Sequence, residues 1–225
     1  MFAVAIDGPA GAGKSSVAKA AAKKLGFLYV DTGALYRAIA LYLLEQGIDP
    51  ADGPAVAAAL PGIKIGLEDA PQGQRVFCNG KDVSGRIRTP EVSMATSTVA
   101  AIPAVRAFLL GLQRELAQKH DVLMDGRDIG TVVLPQAQLK IFLTASPEER
   151  ARRRAAQLKR AGQPVDYSQV LADIRQRDQQ DSTREIAPLK PADNAILLDN
   201  SSLTRDESVA KIVDLVRQQR DAALA

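Results

Sequence analysis

The chain has 225 residues, of which 46% are hydrophobic and 24% charged, and its formal charge of +3 suits partners that carry phosphate. Cys78 is the only cysteine, which excludes an intrachain disulfide and indicates a reducing compartment. No run approaches the roughly 20 apolar residues of a membrane span, and the first residues lack the charged region of a signal peptide, so we expect a cytoplasmic protein without membrane association.

Short apolar runs and helical patterns alternate in the first part of the chain. Residues 2–7 form an apolar run that ends at a glycine-rich turn, which predicts a buried parallel strand. The predicted elements that follow are a helix over 14–25 closed by Gly26, a strand over 27–30 and a helix over 34–45 closed by Gly47. This alternation predicts the start of an α/β fold with a doubly wound parallel sheet.

The pattern changes between residues 63 and 83. Apolar residues alternate with other residues over 63–67, as in a half-buried strand. Asn79-Gly80 then gives a strong signal for a two-residue hairpin turn. Together these features predict a small antiparallel β insert.

The rest of the chain predicts three more core strands and several helices with clear start signals. Thr89, Ser146 and Thr204 are typical helix N-caps, because their hydroxyl groups can accept a backbone N–H of the first turn. The further predicted elements are helices over 104–118 and 168–180 and strands over 122–125, 139–143 and 195–198.

Residues 8–15 match the phosphate-binding pattern G-x-x-x-x-G-K-[ST] in full, between a predicted strand and a predicted helix. In this context the glycines allow backbone N–H groups to converge on phosphate oxygens beside the positive end of the helix. Lys14 can bridge the β- and γ-phosphates of a nucleotide, and the Ser15 hydroxyl can ligate Mg²⁺. The predicted nucleotide-binding residues are Gly8, Pro9, Ala10, Gly11, Ala12, Gly13, Lys14, Ser15 and Ser16.

A P-loop by itself does not choose among kinases, GTPases and ATPases, but other segments narrow the class. The segments GPAGAGKSS at 8–16, VDTGALYRA at 30–38 and DGRDIGTVVLP at 125–135 together closely resemble the bacterial cytidylate kinase family, within the nucleoside monophosphate kinase superfamily. DVSGRIRTPEV at 82–92, TSTVAAIPAVR at 96–106 and RDQQDSTREIAPL at 177–189 extend the resemblance, which runs from about residue 2 to the C-terminal helix.

The resemblance implies an adenylate-kinase-like P-loop NTPase fold, with a five-stranded parallel sheet, flanking helices, a small antiparallel β insert and a helical lid. We expect residues 1–225 to form one kinase domain. Its implied parts are a core of about 1–61, 89–149 and 166–225, a monophosphate-binding insert of about 62–88 and a lid of about 150–165.

The resemblance also implies an acceptor site at the carboxyl ends of the strands. Arg37 follows the second strand on the first turns of a helix, from which its side chain can reach this crevice and contact acceptor phosphate. Thr32, a further implied substrate contact, stands where the family often has serine and keeps the hydroxyl group. The other implied contacts are Arg127 and Arg184 with phosphate, Asp128, Ser97 and Arg106 with cytosine, and Arg177 and Asp181 with the sugar. For Asp125, Arg127 and Asp128, a turn network in which they pair with one another is the alternative.

Nine of the 29 basic residues lie between Arg150 and Arg184, which indicates a local anion site more than a uniformly charged surface. A charge run on a helix is usually a solvated face, but Glu148 and Glu149 are too few to neutralise the arginines at 150–160. A lid that folds over ATP would use these arginines against the charge of the transferring phosphoryl group. Which of them point inward stays open. The predicted catalytic residues are Lys14, Arg127, Arg153 and Arg154.

The predicted reaction is ATP + CMP → ADP + CDP with Mg²⁺, and the same transfer to dCMP. A phosphate monoester has a second pKa of about 6, so the acceptor is already largely ionised and needs no general base. The single histidine, His120, lies in a predicted linker, in agreement with this chemistry. Asp31 and Asp125 both remain candidates for orienting Mg²⁺ through water. We expect a monomer whose partners are CMP, dCMP and ATP.

Other functions fit the sequence less well. A nucleotide switch needs a guanine-reading N-K-x-D element, which the sequence lacks. A binder of single-stranded nucleic acid needs a series of stacking aromatic side chains, whereas the aromatic residues here are scattered, and we expect no nucleic acid partner. Among kinases, a UMP/CMP kinase and a small-metabolite kinase such as shikimate kinase remain alternatives.

Overall fold

The computed structural model of the chain describes residues 1–70 and 73–224. The strands are β1 (Ala3–Asp7), β2 (Leu28–Asp31), β3 (Ile65–Ala70), β4 (Gly73–Cys78), β5 (Lys81–Asp82), β6 (Val122–Asp125), β7 (Leu139–Thr144) and β8 (Ile196–Asp199). The helices are α1 (Lys14–Leu25), α2 (Thr32–Glu45), α3 (Gly53–Ala59), α4 (Pro90–Val99), α5 (Pro103–Lys119), α6 (Pro147–Arg160), α7 (Tyr167–Thr183) and α8 (Arg205–Leu224). A 3₁₀ turn spans Leu60–Gly62 and a π-helix spans Ile129–Val133.

Five of the strands in the described ranges form one parallel sheet, which confirms the implied five-stranded sheet, and their order is β2-β6-β1-β7-β8. β1 lies at the centre, where Ala5 pairs with Met124 on one side and Lys140 on the other. The chain leaves β1 towards β2 on one side and later returns to β7 on the other. The carboxyl end of β1 is therefore the point at which connections diverge, and in doubly wound sheets this point opens a ligand crevice.

Apolar side chains cover both faces of the parallel sheet. On one face, Val17 of α1 and Ile212 of α8 are buried against Ile6 and Leu123. On the other face, Met124 belongs to a smaller cluster that includes the apolar residues of the π-helix. Each fully buried side chain of this kind stabilises the fold by about 1.5–3 kcal/mol, so the sheet gives the crevice a rigid base.

The small sheet, in the order β3-β4-β5, packs on the largest apolar cluster, which also contains α2, α4 and α5. Asn79 and Gly80 join β4 to β5 with φ angles of 49° and 77°, the left-handed conformation that a type I′ hairpin requires. The predicted hairpin is therefore confirmed. The Gln74 side-chain amide donates to the Tyr29 carbonyl, and its oxygen accepts the Asp31 N–H at 3.1 Å, which fixes the small sheet to the edge of β2.

The predicted helix ends are confirmed where the sequence carries a cap. Ser146 accepts the N–H of Glu149 at 3.2 Å, Thr204 accepts that of Glu207 at 3.2 Å, and Gly26 closes α1 with a φ of 71°. No sequence pattern predicted α3 or the π-helix. The π-helix has a tertiary cause, because a carboxylate from a distant strand binds its first N–H groups, as described below.

Among the described residues, no single helix is long and apolar enough to cross a membrane. The helices α4 and α5, which are bent by 97° relative to each other, reach that length and apolar content only together. Both helices bury apolar side chains in the cluster around α2. Val92 and Val99 of α4 and Val105 and Leu109 of α5 belong to that cluster. Their apolar residues serve packing in the core.

Candidate active site

The P-loop runs from the carboxyl end of β1 to the start of α1 and depends on glycine at several positions. Gly8, Gly11 and Gly13 have φ angles of 147°, 77° and 86°, a region that other residues rarely adopt. At Gly8 a Cβ atom would lie 2.0 Å from the carbonyl oxygen of Leu143 in β7. The loop thus follows the sheet edge more closely than any side chain would allow.

Lys14 is buried at the centre of the loop. Its ammonium group donates to the carbonyl oxygens of Gly8 and Pro9, each at 2.7 Å. Burial, and then repulsion from Arg127, lower the pKa of Lys14 below its ordinary value. A cation held with little hydration beside a second cation is well suited to an anionic ligand. The same repulsion shows that Arg127 lies close to the loop.

Asp125, at the end of β6, holds Ser15. The Ser15 hydroxyl donates to one carboxylate oxygen of Asp125 at 2.9 Å, and the Tyr29 hydroxyl donates to the other at 2.8 Å. Thr32 donates its hydroxyl to the Asp125 carbonyl at 2.7 Å. Burial, and then repulsion from Asp31, raise the pKa of Asp125 to about 6.

Asp31, at the end of β2, has a different environment. Its carboxylate accepts the N–H of Ala34 as the N-cap of α2 and pairs with Arg37 at 3.1 Å and Arg88 at 3.6 Å. A cavity of about 230 Å³ opens between Asp31, Ser15 and the small sheet, with Arg88 on its rim. Of the two carboxylates considered for Mg²⁺, Asp125 contacts Ser15 and Asp31 is engaged by arginines.

Two ion pairs involve residues that directly follow the carboxyl end of β6. Arg106 pairs with Asp128, and both side chains are nearly buried. Arg127 pairs with Asp181 of α7 at 2.8 Å. The structure thus brings together residues that are 22 and 54 positions apart in the sequence.

In this part of the crevice arginines outnumber aspartates. We call this group of residues the arginine cluster. Its members are Arg37, Arg106, Arg127, Arg154, Arg177 and Arg184, together with Asp31, Asp128 and Asp181. Each aspartate pairs with one arginine of the cluster, and Asp31 also contacts Arg88 outside it, so Arg154, Arg177 and Arg184 remain without a carboxylate partner among the residues that the structure describes.

Several N–H groups of the arginine cluster are buried and unsatisfied. The Nε atoms of Arg37 and Arg177 and one terminal nitrogen of Arg184 have no hydrogen-bond partner within the described chain. Burial, and then repulsion from Arg127, lower the pKa of Arg177, while burial lowers the pKa of Arg184. Unpaired buried donors cost free energy, and an anion with several oxygen atoms would satisfy them.

The arginines of α6 divide between three environments. Arg150 is buried and contacts the P-loop, and Arg153 donates to Asn200 at 2.8 Å and to the Ala12 carbonyl at 3.4 Å. Arg154 is exposed and donates to the Gln157 side-chain oxygen at 2.8 Å, and its charge helps to lower the pKa of Arg177, so it stands at the edge of the arginine cluster. Arg152 is exposed and pairs with Glu149. The run of charge is therefore not a uniform solvated face.

Ser97 is the predicted site residue that the structure joins least to the others. It is exposed on α4 and forms no hydrogen bond with another predicted site side chain in the described structure. Its contact with a bound base stays a prediction.

A sequence model of the family "Cytidylate kinase" matches residues 4–218. The chain belongs to the cytidylate kinase family. It is 51% identical over 221 residues to the cytidylate kinase of Mycolicibacterium paratuberculosis (strain ATCC BAA-968 / K-10), covering 98% of this chain and 97% of that protein. It is 52% identical over 217 residues to the cytidylate kinase of Shouchella clausii (strain KSM-K16), covering 96% of each.

A solved structure supports the fold of this cytidylate kinase family member. The crystal structure of a gluconokinase from Sinorhizobium meliloti 1021 aligns with a TM-score of 0.50 at 15% identity, over 99% of this chain and 96% of that chain. At this identity the similarity concerns the fold alone. The predicted P-loop kinase fold and the predicted family are both confirmed.

Asp7 borders the P-loop of this family member, and the sequence analysis did not single it out. It ends β1, directly before Gly8, and its buried carboxylate accepts the N–H groups of Ile129 and Gly130, each at 2.7 Å. Burial is the main cause that raises the pKa of Asp7 to about 6. Because Ile129 follows Asp128, this contact fixes the backbone beside the arginine cluster. Its position is the available signal, because Asp7 ends a core strand as Asp31 and Asp125 do.

Asp125→Asn is expected to stabilise the cytidylate kinase fold while lowering activity. Burial shifts the pKa of Asp125 from 3.8 to about 6, and a shift of this size costs on the order of 3 kcal/mol when the group is ionised. The folded state therefore binds the proton more tightly than the unfolded state. The cost is absent below about pH 4, grows as the pH rises towards 6 and is constant above that value.

We expect denaturant unfolding to give a free energy of unfolding about 1–2 kcal/mol higher for Asp125→Asn at pH 7.5, with the gain shrinking by about half at pH 5. Asp49→Asn, at an exposed position, is the matched control and should change neither value. A gain that is equal at both pH values would contradict the assigned cause.

Proposed function

We propose that this chain transfers the γ-phosphate of ATP to CMP and dCMP, giving ADP with CDP or dCDP. The observation that carries the proposal is that two groups of residues suited to anions lie at one sheet edge. The P-loop with its buried Lys14 lies beside an arginine cluster in which three arginines lack a carboxylate partner among the described residues. Two polyanions can therefore bind next to each other, as phosphoryl transfer requires.

The P-loop is the proposed donor site. Residues 8–16 would surround the β- and γ-phosphates, and Lys14 would leave the carbonyls of Gly8 and Pro9 to bind phosphate oxygen. Ser15 and Asp125 provide oxygen ligands of the type that Mg²⁺ prefers, directly or through water. When bound, Mg²⁺ would neutralise charge on the phosphates. We assign the water-orienting role to Asp125, because Asp31 is paired with arginines.

The arginine cluster is the proposed acceptor site. Arg37, Arg127 and Arg184 would bind the acceptor phosphate through forked N–H groups, two of which have unsatisfied atoms. Arg177 and Asp181 would contact the sugar, with Thr32 beside them at the start of α2. Asp128, held by Arg106, would read the base together with Ser97. This assignment follows the family resemblance, and the arrangement of the ion pairs agrees with it.

Catalysis is proposed to consist of positioning and charge stabilisation. The acceptor phosphate is a nucleophile without a general base, since its second pKa is about 6. Lys14 and Arg127 lie close together and would meet the transferring phosphoryl group from the two sides. Arg154 stands at the edge of the arginine cluster and Arg153 borders the P-loop, so both would approach the same group from α6.

Two parts of the chain are proposed to move. The segment 150–165 would act as a lid over ATP, with Arg150 as its fixed end on the P-loop. The insert 62–88 would close on the nucleoside monophosphate, against a core of 1–61, 89–149 and 166–225. Closure would exclude water and so prevent loss of the γ-phosphate by hydrolysis.

A coupled ADP-release assay tests the proposed function. It would compare CMP, dCMP, UMP, AMP, GMP, dTMP and shikimate at equal concentration, with a blank that lacks acceptor. We expect CMP and dCMP to give the highest kcat/KM and UMP to be at least about tenfold lower. Equal values for UMP and CMP would favour a UMP/CMP kinase, and turnover of shikimate with none of CMP would reject the proposal.

A further inference from the structure

Side chains donate hydrogen bonds to several carbonyl groups of the P-loop. Lys14 occupies the carbonyls of Gly8 and Pro9. The next carbonyl, that of Ala10, accepts a guanidinium N–H of Arg150 at 3.1 Å. The carbonyl of Ala12 accepts the side-chain amide of Asn200 at 3.0 Å.

The Ala10 carbonyl shares its peptide group with the N–H of Gly11. The Ala12 carbonyl shares its peptide group with the N–H of Gly13. Neither N–H donates a hydrogen bond to another group of the described chain. In a peptide group the C=O and N–H point in opposite directions, so a donor that fixes the carbonyl also fixes the direction of the N–H. It also polarises the peptide group, which strengthens the N–H as a donor.

Arg150 is built into this position from three sides. The residue is only 3% exposed. The guanidinium forms a bidentate pair with Asp178 at 2.9 and 2.6 Å, and its Nε donates to the Ala145 carbonyl at 2.9 Å. With these contacts made, the guanidinium cannot turn away from Ala10. The same contacts keep it out of the crevice, so Arg150 does not itself bind substrate.

Asn200 is held in a comparable way from the other side of the loop. Its residue is 2% exposed, and its side-chain oxygen accepts an N–H of Arg153 at 3.1 Å. This bond orients the amide so that its NH₂ group faces the Ala12 carbonyl. Its backbone N–H donates to Thr144 at 2.9 Å, which fixes it to the end of β7.

We infer that Arg150 and Asn200 are positioning residues of the P-loop, which aim and polarise the N–H groups of Gly11 and Gly13 towards the phosphates of the bound nucleotide. The inference rests on the proposed use of the P-loop for ATP, but not on the identity of the acceptor. In the competing explanation, Arg150 and Asn200 only attach α6 to the core. Their replacement would then lower the stability of the protein without changing its affinity for ATP.

Arg150→Lys is the most informative variant, because it keeps the positive charge and therefore the general attraction for phosphate. A single ammonium group cannot maintain the bidentate pair with Asp178 and the bonds to both carbonyls. Arg152→Lys is the matched control, with the same chemical change on an exposed residue of the same helix. Asn200→Leu is an independent second variant, similar in volume but without a donor.

The test is the Kd for ATP, measured by calorimetry without acceptor, together with the KM values for both substrates and the Tm. We expect Arg150→Lys and Asn200→Leu each to raise the Kd and the KM for ATP by about tenfold, with the KM for CMP changed less than about twofold. Arg152→Lys should leave all of these values unchanged. In NMR spectra of the nucleotide-free protein, the amide resonances of Gly11 and Gly13 should shift in Arg150→Lys and Asn200→Leu, respectively.

An unchanged Kd for ATP in folded variants with a lowered Tm would overturn the inference in favour of fastening alone. Equal weakening of ATP and CMP would also overturn it. A wild-type protein that binds ATP but does not phosphorylate CMP would reject the proposed function and leave the inference standing, because the binding and NMR measurements need no turnover.

Discussion

Replacing Lys14 with methionine is expected to lower kcat for phosphoryl transfer by about 10³-fold or more while leaving the fold intact. Methionine has a similar length and removes the charge that would follow the migrating phosphoryl group. In the structure the ammonium group donates to the loop carbonyls of Gly8 and Pro9, at 2.7 Å from each, which places its charge at the centre of the proposed donor site.

The stability of Lys14→Met separates a catalytic role from a structural one. Because burial and the charge of Arg127 lower the pKa of Lys14, keeping the group protonated in the folded state costs free energy at neutral pH. Relief of this cost opposes the loss of the two hydrogen bonds to Gly8 and Pro9, so the variant should stay folded with a Tm close to that of the wild type. Lys24→Met, at an exposed position in the last turn of α1, is the matched control and should keep full activity. Near-normal turnover by a folded Lys14→Met protein would refute the assignment of the donor site.

The parts of the fold that the sequence predicts are those with local causes. The P-loop turns need glycine at fixed positions, the caps need a hydroxyl beside the first helical turn, and Asn79-Gly80 supplies the two positive φ angles of its hairpin. α3 and the π-helix were missed for the opposite reason. The π-helix depends on Asp7, which is 122 positions away from Ile129 in the sequence.

The site shows the same division. The concentration of basic residues predicts an anion site, but not that Arg150 supports the P-loop while Arg154 stands at the edge of the arginine cluster. Helical spacing explains part of the difference between these arginines. Arg152 lies two residues after Arg150 and so points to another side of α6. Asn200 carried no signal, because an asparagine after a strand is common in turns and its partner Ala12 is 188 positions away.

Asp128→Ala is expected to lower kcat/KM for CMP by about 10²-fold and that for UMP much less, so that the ratio between the two substrates narrows. Cytosine carries an amine where uracil carries a carbonyl oxygen, and a carboxylate can only accept hydrogen bonds. Asp128 would therefore bind the amine and repel the carbonyl. Arg106 pairs with Asp128 and fixes the direction of the carboxylate, with both side chains nearly buried.

Asp128→Asn distinguishes base reading from a structural role, because it keeps the size of the side chain. The asparagine amide can donate to the uracil carbonyl or accept from the cytosine amine, so kcat/KM for UMP should rise towards that for CMP. The KM for ATP should stay within about twofold, since the P-loop is a separate site. If Asp128 only fastens Arg106, both variants would lower CMP and UMP turnover together. An unchanged ratio of kcat/KM for CMP to that for UMP in both variants would contradict a role of Asp128 in base recognition. A narrowed ratio with a constant KM for ATP would show that this one carboxylate distinguishes cytosine from uracil.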